Sequence, residues 1–411
     1  MGNLNPKRGN SECRACGFRD IKSVLDLGFQ PLPSEYGITP EETLETFPLH
    51  MRICPNCGLG QLGEYVLPRR IFHDTYPYLS SASSTWLDHA KKYALEMHQN
   101  LELNSESLVL ELASNDGYLL SEFKKIGTPV LGIEPASNVA SIARKAGVPT
   151  LNVFFGAEVA KKVLSLYGHP KLIVANNVFA HIPDMHDFTE GMAILCDEDT
   201  VITIENPCFA TLLKNRLFDT IYHEHYSYLS AHSVQTIANA HGLELFQVDK
   251  LTTHGGSNRY WLGRSQEISD TVKLTLEKER SEGLFDPLMW KDFANRSKAS
   301  IAALEEWLTA KKKAGDIVVG YGAAHKGNTF LNAVGESSKI LKYVVDASSE
   351  KQGKFLPGSQ IPVLEPNELS LANPTDVLIL PWNIAEEISA RVRMLAPKAR
   401  IWVALPILHE I

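Results

Sequence analysis

No apolar run in the 411-residue chain is long enough to span a bilayer, and its first residues, MGNLNPKRGN, lack the apolar core of a secretory signal. Both absences predict a cytoplasmic protein with no membrane partner. An excess of basic charge is missing too. Lys and Arg number 40 against 48 Asp and Glu, a net charge of −8, which argues against a wide phosphate-gripping face and against nucleic acid as a partner. There is no internal repeat and no low-complexity segment. What remains, 44% hydrophobic and 21% charged residues, is the composition of an ordinary globular chain long enough for two to three domains.

Cysteine is scarce, yet four of the six residues are paired. Cys13-Arg-Ala-Cys16 and Cys54-Pro-Asn-Cys57 are both C-x-x-C, and each is followed by glycine (Gly17, Gly58). Two such knuckles offer four thiolates to one tetrahedral ion, with glycine permitting the tight turn beside the metal. A reducing compartment disfavours disulfides, and a redox pair would need only one C-x-x-C. The expected ion is zinc, and a closed four-thiolate set makes it structural. Cys196 and Cys208 fall in apolar surroundings and read as core. The zinc module is expected over residues 1–68, packed on its own chain.

The stretch around which the chain is organised is Leu108 to Phe123, LVLELASNDGYLLSEF. An apolar run leads to Glu111, then to a small polar turn, then to a helix pattern carrying Leu119, Leu120 and Phe123. Strand, turn and helix form the first unit of a doubly wound α/β fold, which binds ligands at the carboxyl edge of its sheet. Glu134 ends the next strand, 23 residues after Glu111, where an acid accepts hydrogen bonds from ribose hydroxyls. The G-x-G-x-x-G fingerprint is absent, which argues against a dinucleotide. ELASNDG and GIEP resemble motifs of the class I S-adenosylmethionine methyltransferases, with Ala113 and Asn115 standing where that class often has glycine. The resemblance implies S-adenosylmethionine as cofactor, held by Ala113, Asn115, Gly117, Glu134, Phe155 and Asn176. Further strands are expected to end at Phe154-Phe155-Gly156, at Asn176-Asn177 and at Glu205, with a hairpin of Leu243 to Leu251 and Ser257 to Gly263 closing the sheet. This domain is expected over 69–265.

Downstream lies the densest chemical cluster, Phe218-Asp219-Thr220-Ile221-Tyr222-His223-Glu224-His225-Tyr226-Ser227-Tyr228, with two histidines, a glutamate and three tyrosines in its last seven residues. Read from residue types alone, it is a solvated loop, a metal site if extended, or an acid–base centre, since histidine titrates near neutrality. Asn258 and Arg259 are candidates to face an anionic ligand. A long charged helical region then leads to a second strand–turn–helix, GYGAAHKGN, whose glycines and Lys326 suit a pyrophosphate. This C-terminal Rossmann-like α/β domain is expected over 266–411.

Taken together, the two knuckles, SNDG, ANNVFAHIPD, YHEHYSYLS, HGGSNRYW, GYGAAHKGN and the D-x-x-x-x-K-Q-G-K-x-L-P-G run resemble the sugar-nucleotide 3-C-methyltransferases of deoxysugar biosynthesis. The likeness implies methylation at C3 of a dTDP- or GDP-linked 4-keto-6-deoxyhexose. It implies His225 as base, Glu224 assisting, and Tyr222, Tyr76 and His181 as active-site groups. His325, Lys326, Asn328, Asp346 and Lys351, with Asn258 and Arg259, become the candidates for substrate binding. An O-methyltransferase of the same fold and a non-enzymatic zinc-ribbon adaptor are the alternatives.

Overall fold

The computed structural model describes residues 12–63, 66–74 and 76–411, so the N-terminal stretch read for a signal lies outside the described residues. Three sheets follow one another along the chain. The first is antiparallel, in the order Lys22–Pro31, Thr46–Ile53, Gly60–Leu62, with Ser227–Tyr228 as its far edge. That edge strand comes from far along the chain: Gly60 opposes Tyr228 and Gln61 opposes Ser227. Thus the zinc module takes up the last two residues of the histidine cluster. Arg14, in the first knuckle, strengthens the junction by donating to the carbonyls of Tyr226 and Leu62.

The second sheet has seven strands, in the order Glu244–Leu251, Ser257–Gly263, Val201–Pro207, Leu172–Asn176, Val109–Leu112, Val130–Ile133, Thr150–Leu151. Ser257–Gly263 alone runs antiparallel to its neighbours. The central strands are apolar because helices cover both faces, and Val109, Leu110, Ile173 and Val174 are fully buried. Strand order reverses between Val109–Leu112 and Leu172–Asn176, which opens the crevice where doubly wound sheets bind ligands. One sequence expectation needs correction. The third strand stops at Leu151, because Asn152 turns to the carbonyls of Glu134 and Pro135 and Phe155 packs edge-on against Phe188.

The third sheet holds Val363–Leu364, Val344–Val345, Val318–Tyr321, Asp376–Ile379 and Arg400–Val403 in parallel, with His409–Glu410 antiparallel at one edge. Helices Asp270–Ser281 and Pro287–Ala314 lead into it. Among the described residues, no helix is long and apolar enough to cross a membrane.

Candidate active site

The Sγ atoms of Cys13, Cys16, Cys54 and Cys57 lie within 4.8 Å of one another. Cys13 and Cys57 are 3.5 Å apart, and Cys16 and Cys54 3.6 Å. A tetrahedron with Zn–S bonds of about 2.3 Å has edges of about 3.8 Å, so this donor set fits zinc. When bound, the ion supplies a cross-link between the two knuckles, with no position left open for chemistry.

The cofactor crevice forms where Val109–Leu112 gives way to the polar turn. Ala113, Asn115 and Gly117 all adopt positive φ, at 56°, 49° and 79°. Two side-chain-bearing residues therefore hold a left-handed backbone that costs a non-glycine of order 1 kcal/mol or more each. The turn is braced accordingly. Asn115 Oδ1 accepts from Ser80 N at 2.8 Å, and Asp116 Oδ2 accepts from Ser81 N at 3.2 Å. Gly132 is required here, since a Cβ would sit 2.3 Å from Ser114 Oγ. The carboxylate of Glu134 crosses to accept from the amides of Asn115 at 3.0 Å and Ala136 at 2.8 Å. Burial pushes its carboxyl up to about 7 against those bonds. Three buried oxygens of the crevice, Glu111 Oε2, Asp116 Oδ1 and Asn176 Oδ1, have no partner among the described residues. A ligand rich in ammonium and hydroxyl donors suits them.

The histidine cluster is neither an extended strand nor a solvated loop. It is a buried turn, closed by His225 N donating to Tyr222 O at 2.9 Å. The turn sends the two histidines apart. His223 points to the zinc module, bonding Phe47 O at 3.2 Å, and burial lowers its imidazole to about 4. His225 points inward, 2.8 Å from Thr220 O through Nδ1 and 2.9 Å from Tyr222 Oη through Nε2. A carbonyl only accepts, so Nδ1 carries the proton and the Nε2 lone pair receives the phenol hydrogen. Burial, then His181, holds the His225 imidazole well below its ordinary value, leaving it neutral. Its ring meets His181 edge-on with centroids 4.9 Å apart. Beside it, Glu224 accepts from Tyr76 Oη at 3.2 Å and stands 3.4 Å from His325 Nδ1. Burial pushes the Glu224 carboxyl up, but His325 and His181 outweigh it and hold it at about 2. Burial keeps both Tyr76 and Tyr222 phenols protonated.

Tyr76, His181, Tyr222, Glu224, His225 and His325 are therefore one cluster, drawn from four separate stretches of chain. Lys326 lies near it, with Nζ 3.0 Å from Asn383 Oδ1 and 5.1 Å from the Trp382 ring centroid. Asn328 is buried on the same helix. Asp346 and Lys351 brace the glycine turn itself: Asp346 Oδ2 accepts from Ala323 N at 2.7 Å, and Lys351 Nζ donates to Ala323 O at 2.9 Å. Asn258 and Arg259 are not brought to this cluster, which corrects the expectation that they face a ligand. They lie mid-strand in the sheet, where Arg259 pairs with Glu205 at 2.7 Å and Glu96 at 3.1 Å. Asn258 bonds Lys250 and the Tyr260 hydroxyl. Asp219, inside the cluster but with no role expected of it, accepts through Oδ2 from Trp382 Nε1 at 2.8 Å and ties the C-terminal domain to the histidine turn.

The sheet order, the crevice at its switch point and the four-thiolate centre define a class I methyltransferase with an N-terminal zinc module. Family profiles match in the same sense: a zinc binding domain at 13–72, a methyltransferase domain at 86–248 and the C-methyltransferase C-terminal domain at 252–406. C-methyltransferase NovU of Streptomyces niveus is 35% identical over 382 residues, covering 92% of this chain and 91% of the relative. The chain belongs to the C-methyltransferase family and uses S-adenosylmethionine and zinc. Solved structures similar to part of it include a SAM-dependent methyltransferase from Anabaena variabilis (TM-score 0.36, 15% identity, 46% of this chain and 88% of that one). Another is magnesium protoporphyrin IX methyltransferase from Synechocystis with bound SAM (TM-score 0.33, 14% identity, 44% and 79%).

Proposed function

We propose that this C-methyltransferase methylates C3 of a nucleotide-linked 4-keto-6-deoxyhexose through an enolate, with His225 as the base. The observation that carries the reading is the state of His225: a neutral imidazole, its tautomer set by Thr220 O, with its one lone pair capped by a phenol. A 4-ketone acidifies the C3 proton. When substrate enters, the Tyr222 hydrogen turns to the sugar 4-oxygen and frees Nε2 to take that proton. The C3–H electron pair becomes the enolate, stabilised at oxygen by phenol donors, and C3 would take the methyl as its bond to the sulfonium sulfur breaks, that electron pair staying on sulfur. The bound cofactor supplies an electrophilic methyl group on a sulfonium.

Residues 1–68, 69–265 and 266–411 then divide the work into zinc module, cofactor domain and nucleotide-sugar domain. Glu134 holds the ribose in this reading. Lys326 and Asn328 face the diphosphate-linked sugar, and Lys326→Ala raises KM for that substrate with cofactor affinity unchanged. The nucleotide is found by calorimetry with dTDP, GDP and UDP.

The test is proton exchange. Enzyme with dTDP- or GDP-linked 4-keto-6-deoxyhexose in D₂O, without methyl donor, is expected to lose the C3 proton signal. Methylation of a hydroxyl oxygen with no C3 exchange on either sugar would overturn the reading.

A further inference from the structure

Glu224 is an anion held almost out of water, at 1% exposure. Tyr76 donates to one of its oxygens, while Oε1 has no hydrogen-bond partner among the described residues. A buried carboxylate with half its acceptor capacity unused is costly unless a positive charge faces it. The basic side chain facing Oε1 is His325, with Nδ1 3.4 Å away, and it comes from the C-terminal domain. His325 is the first residue of helix His325–Val334, directly after the glycine turn of the C-terminal domain. Its ring also meets the Tyr222 ring edge-on, with centroids 5.9 Å apart. One side chain thus touches both the anion and the phenol that caps the proposed base.

The backbone in front of His325 is itself fastened. Ala323 O accepts from Tyr36 Oη of the zinc module at 2.6 Å and from Lys351 Nζ at 2.9 Å, and Ala323 N donates to Asp346. The zinc module and the C-terminal domain therefore both fasten Ala323, two residues before this histidine.

We propose that His325 is a positioning residue: from the C-terminal domain it holds the Glu224 side chain and Tyr222 in place, so that the acid–base cluster is complete only when that domain is docked. The groups facing Glu224 are Ser34 and Tyr36 from the zinc module, Tyr76, His181, and Tyr222, His223 and His225 from its own turn. His325 is the one that comes from the C-terminal sheet and the largest of those favouring the charged form. Its removal takes away that contribution, so the Glu224 carboxyl rises.

The experiment follows that carboxyl by infrared difference spectroscopy on the full-length zinc protein, and so stands apart from the C3-enolate reading. Acidification of His325→Gln is expected to produce the protonated-carboxyl band at a pH at least about one unit above wild type, an opposite charge at this range being worth that much. The band is absent in Glu224→Gln/His325→Gln, which assigns it. His325→Lys, which returns a cation, moves the band back toward wild type. The second measurement is C3 exchange from dTDP-linked 4-keto-6-deoxyglucose, which rests on the proposed reaction. His325→Gln is expected to slow it by roughly 10²-fold, as misplaced reacting groups do, with S-adenosylmethionine affinity unchanged. A Glu224 band at the wild-type pH in His325→Gln overturns the inference. Absence of exchange in wild type, with the band shifted as expected, overturns the reaction reading and leaves this one standing.

Discussion

The phenol of Tyr222 donates its hydrogen to Nε2 of His225 at 2.9 Å, on the nitrogen that Thr220 leaves unprotonated. The proposed base is therefore stored in a capped form. His223, two residues earlier, has its ring committed to Phe47 O on the opposite side. His225→Asn is expected to cut turnover by roughly 10²–10⁴-fold and to abolish C3 exchange while keeping cofactor affinity. If His223→Asn abolishes exchange and His225→Asn retains it, the base is His223.

The pH profile follows from the same burial. A base must be neutral to accept a proton, and burial with His181 holds the His225 imidazole well below 6.5. Glu224, needed as an anion, protonates only near pH 2. C3 exchange is thus expected to stay level as pH falls through 6.5 and to drop only at lower pH. A C3-exchange profile, taken without cofactor, that halves at pH 6.5 or above would show the imidazole to be unperturbed.

Glu134 makes the cofactor affinity pH-dependent. Its carboxyl sits at about 7 through burial, and ribose hydroxyls donate to the ionised form. Below pH 7 a growing fraction is protonated before binding, so Kd for S-adenosylmethionine should rise as pH falls, approaching tenfold per unit. Glu134→Ala should weaken binding by about 2–3 kcal/mol and flatten the profile. Calorimetry at pH 6, 7 and 8 reads both.

Zinc is expected at one ion per chain, since the described residues contain a single four-thiolate group. Its loss should reach the histidine turn, because Ser227–Tyr228 is an edge strand of the sheet the zinc module carries. Cys54→Ser is expected to give misfolded protein. A folded, zinc-free variant with normal turnover, measured by elemental analysis alongside activity, would count against this coupling.

Arg259 is expected to contribute to stability rather than to substrate binding. It is 3% exposed, paired with the buried Glu205 and stacked on Tyr93. Removing one partner of a buried pair costs about 3–5 kcal/mol, although His89, 2.8 Å from Glu205, offsets part of it here. Arg259→Ala should therefore lower the urea midpoint with KM unchanged. A raised KM at unaltered stability would return Arg259 to the ligand.

Local pattern was enough for some of this. The paired C-x-x-C motifs announce their metal because ligand chemistry is written in the side chains themselves. The run from Val109 to Gly117 announces a strand and ligand turn, because apolar length and turn residues are local signals. Glu134 was legible through its spacing from that turn.

Other features were decided by distant contacts. Phe155 lost its strand to packing on Phe188, and Arg259 was claimed by a carboxylate on the neighbouring strand. His223 and His225 differ in nothing that sequence displays. A tight turn separates them, one edge of a zinc-bearing sheet anchors it, and a histidine 100 residues downstream faces the carboxylate between them. Composition and motif thus determined the fold class, the metal and the cofactor, which depend on residue types at short spacing. The tautomer and charge of each acid–base group were left to the tertiary structure, because burial and opposing charge are properties of the packed interior alone.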